Sequence, residues 1–443
     1  MVDVAIVTLG CAKNEVDSQI MEQLLTKEKY KLSDDYKQAE VIIVNTCGFI
    51  ADAKEESIET ILELAQYKEE GNCELLVVTG CLAQGYGVEL KEEMPEIDAM
   101  LGTGNFDQIT EIIAEGLAGD RKIAIDKPEF DYDAYLPKTK TSNQKSAYVK
   151  IAEGCNNNCS YCLIPKLRGE LKSRSQEKII QEVEELAQQG VKEINLIAQD
   201  ITQYGRDKGG DSQLVPLLER LVEVAEIRWI RLLYAYPLHI SDRLIDFMAR
   251  EDKICNYLDL PVQHADKEIR TKMNRAGTKE DILAVINKLR SKMPDITLRT
   301  SVIVGFPGET EEHFQHLLDF IKKAEFDNLG AFTYSREEKT AAAKMDCQIP
   351  QDRKEERYQR VMDLQSNISY QRNQSWVGEE LEVLVEDYQS RKPRIMIGRS
   401  RREAPEEIDG VVFIKETTAE KGEFITVEIT EAQEYDLIGV ERR

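Results

Sequence analysis

The chain has 443 residues, room for two to four domains with cores of their own, and its formal charge of -24 points away from a nucleic-acid binder that works through a broad basic face. No stretch approaches the roughly eighteen uninterrupted apolar residues of a membrane span, and the opening Met1-Val-Asp3 carries an acid where a signal peptide carries Lys or Arg. A soluble, cytoplasmic protein is expected, and its nine cysteines, an odd number with several just past strand-like runs, suit reduced thiolate ligands better than a disulfide framework.

Residues 1–140 read as one domain. Apolar runs Val2 to Leu9, Val41 to Asn45 and Glu74 to Thr79 alternate with helical patterns, among them Glu55 to Leu64 with Ile58, Ile61, Leu62 and Ala65 expected on its buried face. The β-α-β-α-β order predicts a doubly wound parallel sheet, in which the carboxyl ends of the strands share one edge. Cys11, Cys47 and Cys81 each follow one of these runs, so the fold should gather them into a three-thiolate site. Cys73, Cys255 and Cys347 lack that pattern and are expected as packing residues.

A Pro/Lys/Thr/Ser stretch, Leu136 to Lys145, reads as a linker. Residues 141–375 then carry six strand-like runs separated by helical ones: Ala147–Glu153, Glu193–Gln199, Trp229–Tyr236, Tyr257–Val262, Ile296–Val304 and Asn328–Tyr334. A helix from Gln176 should stop at Gly190, and Thr278 with Asp281 should open another by a capping box. Six such units predict a partial TIM-like (β/α)6 barrel with its chemistry at the carboxyl ends of the strands. Directly after the first run stands Cys155-Asn-Asn-Asn-Cys159-Ser-Tyr-Cys162, three close thiolates with no fourth. Structural zinc takes four protein ligands, yet the next Cys or His is His239. A cubane iron-sulfur cluster held by three cysteines keeps one iron open, and that iron can chelate the amino and carboxylate groups of S-adenosylmethionine.

Tyr358, Val361, Met362, Leu364 and Ile368 predict a long connecting helix within residues 350 to 375. From residue 376 to 443 the pattern alternates, as in Leu381-Glu-Val-Leu-Val-Glu386 and Phe424-Ile-Thr-Val-Glu-Ile429, which predicts a small antiparallel β-barrel. Both end domains are acidic and the middle is near neutral, which favours a basic partner. One basic run, Arg391 to Arg394 with Arg399, Arg401 and Arg402, points the other way and reads as a solvated turn.

Leu9-Gly-Cys-Ala-Lys-Asn-Glu-Val-Asp-Ser18, Asn45-Thr-Cys-Gly-Phe-Ile50, Thr79-Gly-Cys-Leu-Ala-Gln84, the Cys155–Cys162 loop and Gly305-Phe-Pro-Gly-Glu-Thr310 together resemble the radical S-adenosylmethionine methylthiotransferases, over the whole chain. The resemblance implies two 4Fe-4S clusters, one on Cys155, Cys159 and Cys162 that generates a 5'-deoxyadenosyl radical, and an auxiliary one on Cys11, Cys47 and Cys81. It also implies a carboxyl-terminal barrel of the TRAM type. Cys47-Gly-Phe-Ile50, Tyr234-Ala-Tyr-Pro237 and Leu258-Asp-Leu-Pro-Val-Gln-His264 resemble the RimO branch, which methylthiolates the β-carbon of an aspartate in ribosomal protein S-twelve, with an electron donor such as flavodoxin or ferredoxin. A tRNA adenosine enzyme and a non-catalytic two-cluster electron carrier are the alternatives.

Tyr161 is a candidate to pack on the adenine of the cofactor, and Gly305, Pro307 and Gly308 to let backbone approach it. Arg299 lies inside an apolar strand and calls for a carboxylate partner. Lys339 stands where the family pattern has Gly, so the turn after the sixth strand should differ in shape. His264 is assigned no metal role.

Overall fold

The computed structural model describes residues 1–134, 144–389, 395–405 and 409–442. Most of the expected linker and the basic run 391–394 fall outside these residues.

Six parallel strands build the first sheet, in the order Lys31–Leu32, Asp3–Thr8, Val41–Thr46, Leu75–Gly80, Ala99–Leu101 and Ile123–Ala124. Side chains alternate between its faces as the period of a strand requires. Val41 and Ile43 pack with Val16 and Ile20 of helix Ala12–Lys27 and with Ile109 and Ile112 of helix Ile109–Leu117, while Ile42 and Val44 pack with Ile61 and Leu82 from helices Ala51–Ala65 and Cys81–Glu93. Helices thus cover both faces, the doubly wound arrangement expected. One helix is turned differently from its apolar pattern. Ile58 and Leu62 of Ala51–Ala65 are exposed, and the buried stripe is Ser57, Ile61 and Leu64. The rotation brings the Ser57 hydroxyl to the backbone of Cys47, where it accepts from the Cys47 N–H at 3.1 Å.

The second sheet keeps sequence order: Ser146–Lys150, Glu193–Ile197, Trp229–Leu232, Ile254–Asp259, Thr297–Val304 and Asn328–Thr333, every pair parallel. Its outer strands do not pair with each other, which leaves the expected (β/α)6 barrel open on one side. The first strand-like run is broken after Lys150, and Ala152–Glu153 pairs instead with Lys172–Ser173, antiparallel. Helix Gln176–Gln188 ends before Gly190 at φ +95°, and Thr278 and Asp281 form the reciprocal cap of helix Lys279–Lys292.

Helix Gln351–Gln374 runs along the barrel to the last domain, with Val361 fully buried. There five strands, Glu380–Gln389, Ile395–Arg399, Val412–Lys415, Leu437–Arg442 and Phe424–Ala432, close into a barrel. Its pairings are antiparallel except where Val412–Lys415 meets Leu437–Arg442 in parallel. Cys73 and Cys255 are buried as expected of packing residues, but Cys347 is not: it is exposed at φ +58°, in a loop held through its carbonyl, which accepts from the Gly308 N–H at 2.9 Å. Among the described residues no helix is long and apolar enough to cross a membrane.

Candidate functional site

The carboxyl edges of the two parallel sheets face one another across a cavity of about 490 Å³. Cys11, Cys47 and Cys81 line it from the first sheet, and Cys155, Cys159 and Cys162 from the barrel.

On the first side, Cys11 caps helix Ala12–Lys27 and Cys81 begins helix Cys81–Glu93, so two helix amino termini place partial positive charge beside the thiols. Gly10, at φ +92°, lets Cys11 and Cys47 approach, because a Cβ there would lie 2.8 Å from the Cys47 Cβ. On the barrel side, the Cys155 N–H donates to the Gly169 carbonyl at 3.1 Å, and Ser160 is fixed by its hydroxyl to the Lys272 carbonyl at 2.7 Å. Backbone N–H groups point at two of these sulfurs, Asn157 at Cys155 and Ile164 at Cys162, both at 3.4 Å.

Burial pushes the thiol of Cys81 up to about 11, Cys155 to about 11 and Cys162 to about 12. Without a metal these groups hold their protons, and a bound cation must displace them. The donor set suits a cubane. Among the described residues no three Cys, His, Asp or Glu converge on the volume of a single ion, which speaks against mononuclear zinc, whereas each thiolate of a cubane binds a different iron. Donors to the sulfurs, of the kind that tune such clusters, are in place: the two backbone N–H groups, Arg168 Nε at 3.2 Å from Cys81 Sγ, and Arg275 Nη1 at 3.7 Å from Cys159 Sγ.

The two sides are joined by a buried charge network that sequence reasoning missed. Arg168, which follows the cluster loop, reaches back to Asp17 at 2.5 Å and Glu153 at 3.3 Å and to the Asn14 side chain. Lys150 bonds Asp17 at 2.6 Å and Glu153 at 2.7 Å, and the Tyr132 hydroxyl lies between the same two carboxylates, 2.7 Å from Asp17 and 2.8 Å from Glu153, with its one proton to give to either. Burial alone would raise the Glu153 carboxyl, but Lys150 and Arg168 beside it hold it well below the usual carboxylate range. The one signal in the sequence was a lysine inside an apolar strand.

The other named residues divide. Tyr161 lines the cavity and packs against Ile269, Met273 and Phe306. Gly305, Pro307 and Gly308 are not among the lining residues; the turn they form packs against the connecting helix, and a Cβ on Gly305 would lie 2.3 Å from Lys354 Cγ. Gly305 and Gly308 take positive φ, +73° and +77°, in that turn. Arg299 finds protein carboxylates, Asp259 and Asp409, each at 3.0 Å. His264 is fully buried, and burial lowers its pKa to about 3. Lys339 ties the turn after the sixth strand to the first domain, its ammonium 2.6 Å from the Gly85 carbonyl and 4.4 Å from the Tyr86 ring centre.

Arg399 and Arg402 are buried. Arg399 pairs with Glu193 at 2.6 Å, and Arg402 lies against the Trp376 ring. Neither forms the solvated turn expected, and neither is free to meet a phosphate. A second depression, about 550 Å³, lies between the connecting helix and the last barrel beside Tyr370 and Tyr435, and no thiol lines it.

Three family models match in turn: uncharacterized protein family UPF0004 over residues 3–102, the radical SAM superfamily over 149–321 and the TRAM domain over 377–440. Curated proteins named ribosomal protein uS12 methylthiotransferase RimO are similar along the whole chain. That of Heliobacterium modesticaldum is 50% identical, covering 98% of this chain and 94% of its own. That of Syntrophotalea carbinolica is 48% identical, covering 98% and 96%. That of Desulfitobacterium hafniense is 49% identical, covering 98% of each. Among solved structures, the radical S-adenosylmethionine methyltransferase TsrM from Kitasatospora setae, with cobalamin and a [4Fe-4S] cluster bound, shares the fold at a TM-score of 0.56 and 16% identity over 75% of each chain. The cobalamin-dependent radical enzyme OxsB does so at 0.52 and 12%, over 77% of this chain and 54% of its own.

Proposed function

The chain belongs to the radical S-adenosylmethionine methylthiotransferases that act on ribosomal protein uS12, and on that premise we propose that its two facing cysteine triads work on one aspartate of uS12, the S-twelve protein of the small subunit. The cofactors are two 4Fe-4S clusters and S-adenosylmethionine. Cys155, Cys159 and Cys162 hold the cluster that supplies an electron to the sulfonium of S-adenosylmethionine, and Cys11, Cys47 and Cys81 hold the auxiliary cluster with which the inserted sulfur is associated. The observation that carries this reading is that all six thiols line a single cavity.

The β-carbon of aspartate has no useful C–H acidity, so acid-base side chains alone cannot open it. The chain's residues instead bind, orient and keep water out. Arg168 and Arg275 set charge beside the sulfurs, and Tyr161 offers a ring at the barrel side for the adenine. A flavodoxin or ferredoxin of the cytoplasm is the electron donor. The acidic last barrel meets the basic protein substrate, and relatives named for uS12 favour that substrate over tRNA and favour catalysis over electron transfer alone.

Anaerobically reconstituted protein should hold about eight irons, and about four after Cys155, Cys159 and Cys162 are replaced together by Ala. Cys159→Ala should end reductive formation of 5'-deoxyadenosine. Cys47→Ala should still form some and make no methylthiolated uS12. Product from Cys47→Ala at the parent rate would show that the auxiliary site lies elsewhere.

A further inference from the structure

Among the described residues four cations line the cavity, and two of them already have carboxylate partners. Arg168 is taken by Asp17 and Glu153, and Arg299 by Asp259 and Asp409. Arg275 lies on the barrel side, against Cys159 Sγ, the Pro261 carbonyl and the face of Tyr236. Lys13 is different. It is 8% exposed, lines the cavity and, among the described residues, pairs with no carboxylate. Its ammonium sits 3.3 Å over the ring centre of Tyr234, with the Tyr234 side chain and Cys11 as its nearer polar neighbours, and Glu153, which acts on it more weakly, is shared by Lys150 and Arg168.

A cation-π contact contributes about 2 kcal/mol when desolvated, less than a buried ammonium loses in leaving water. Tyr234 itself is held at φ +63°, an unusual backbone for a residue with a side chain, fixed by its carbonyl to the Ile201 N–H at 3.1 Å and its N–H to Asp259 at 3.3 Å. The first domain supplies the cation and the barrel supplies the ring, so the pair joins the two sides of the cavity and leaves an ammonium that, among the described residues, has no carboxylate partner.

We propose that the Lys13 ammonium receives the side-chain carboxylate of the substrate aspartate and so makes the enzyme specific for aspartate. This rests on the uS12 reading above. It also accounts for which carbon is modified. Lys13 is two residues past Cys11, on the auxiliary side of the cavity, and the β-carbon is one bond from the carboxylate carbon. A carboxylate held there would keep the β-carbon inside the cavity that both triads line. Asparagine is nearly the same shape but neutral, and binding it leaves the ammonium unpaired.

The test uses reconstituted enzyme with both clusters and two labelled peptides spanning the modified segment of uS12, one with Asp and one with Asn at the target position. Dissociation constants are read by fluorescence anisotropy without reductant, and products by mass with it. The unaltered enzyme is expected to bind the Asp peptide about ten-fold or more tightly than the Asn peptide, about 1.4 kcal/mol. Lys13→Met should bring that ratio near one, and Lys13→Arg should restore part of it. A ratio that stays at its original value in Lys13→Met overturns the proposal, and shows that the ammonium serves only the Cys11 thiolate. So does a rise in the KM for S-adenosylmethionine with the ratio unmoved, since the cation then belongs to the methionyl carboxylate. Should Lys13→Met fail to fold or load iron, the unaltered enzyme still decides, because a ratio near one there overturns the proposal alone. No methylthiolated Asp peptide from the unaltered enzyme overturns the uS12 reading and the proposal with it.

Discussion

Arg299 in the central barrel reaches Asp409 in the last domain, Nε to Oδ1 at 3.0 Å, in a charge contact not aligned as a hydrogen bond. The same carboxylate accepts from the Tyr257 hydroxyl at 2.6 Å and the Ala404 N–H at 3.0 Å, and Ala404 lines the cavity that the six cysteines share. Ala404, which follows the strand Ile395–Arg399 of the terminal barrel, thereby contributes to the base of the candidate active site. Glu193, Arg231 and Arg399 make a second buried bridge across that junction, and Arg228 and the Trp229 indole both bond Glu382.

Removing the cation alone should be costly. Arg299→Met leaves Asp259 and Asp409 buried without a counter-charge, and the expected loss is about 3–5 kcal/mol of stability. Adding Asp409→Asn should recover part of it. Denaturant unfolding of the metal-free protein checks both, and an unchanged midpoint for Arg299→Met would refute the assignment.

Acid should weaken the junction in a defined range. Burial by itself would raise the Glu193 carboxyl, but Arg399 and Arg231 hold it at about 2. Because its folded pKa is depressed, the stability it contributes is complete above the unfolded value of about 4.3 and is lost as pH falls toward 2, about 3 kcal/mol in all. Glu193→Gln should be less stable at neutral pH and should lack this part of the acid transition, followed by circular dichroism.

Glu337 is the clasp between the first domain and the barrel near the cavity, bonded to Lys54 at 2.5 Å and to the Tyr86 hydroxyl at 3.3 Å. Glu337→Gln should loosen the two cysteine triads relative to each other. The expected signature is more 5'-deoxyadenosine formed per methylthiolated product. Faster hydrogen exchange in helix Cys81–Glu93 should accompany it, read by mass spectrometry.

Electrostatic docking of uS12 must be tested on acids that are free. Glu382 and Glu386 are committed to Arg228 and Arg399, so reversing them would break the junction rather than the docking face. Glu379, Glu380, Glu416 and Glu434 are exposed. Changing these four to Lys should weaken uS12 binding several-fold at low salt, with the difference shrinking as salt rises. Equal affinity at low salt would remove charge from the account of docking.

The cysteine triads were legible because thiolates that share a cluster leave a spacing, and because parallel strands bring their ends to one edge. Arg299 announced a partner for a related reason: a charge in an apolar strand must be paired. What could not be read was who the partner was, since Arg168 and Asp17, or Arg299 and Asp409, lie more than a hundred residues apart. The helix Ala51–Ala65 misled because a serine took the buried stripe to hold the Cys47 backbone, against the apolar period that placed Ile58 and Leu62 inside. Gly305 and Gly308 were open to two readings, since a glycine pair fits a tight turn as well as a cofactor approach.

Chain order gives the base of the cavity a further meaning. Both thiol triads and the whole parallel barrel precede residue 351, whereas Ala404 and Asp409 are made after them. A nascent chain therefore has every thiol in place while the chamber is still open underneath, and Arg231, Arg299 and Glu193 face water. The last domain thus closes over a cavity whose thiols are already in place.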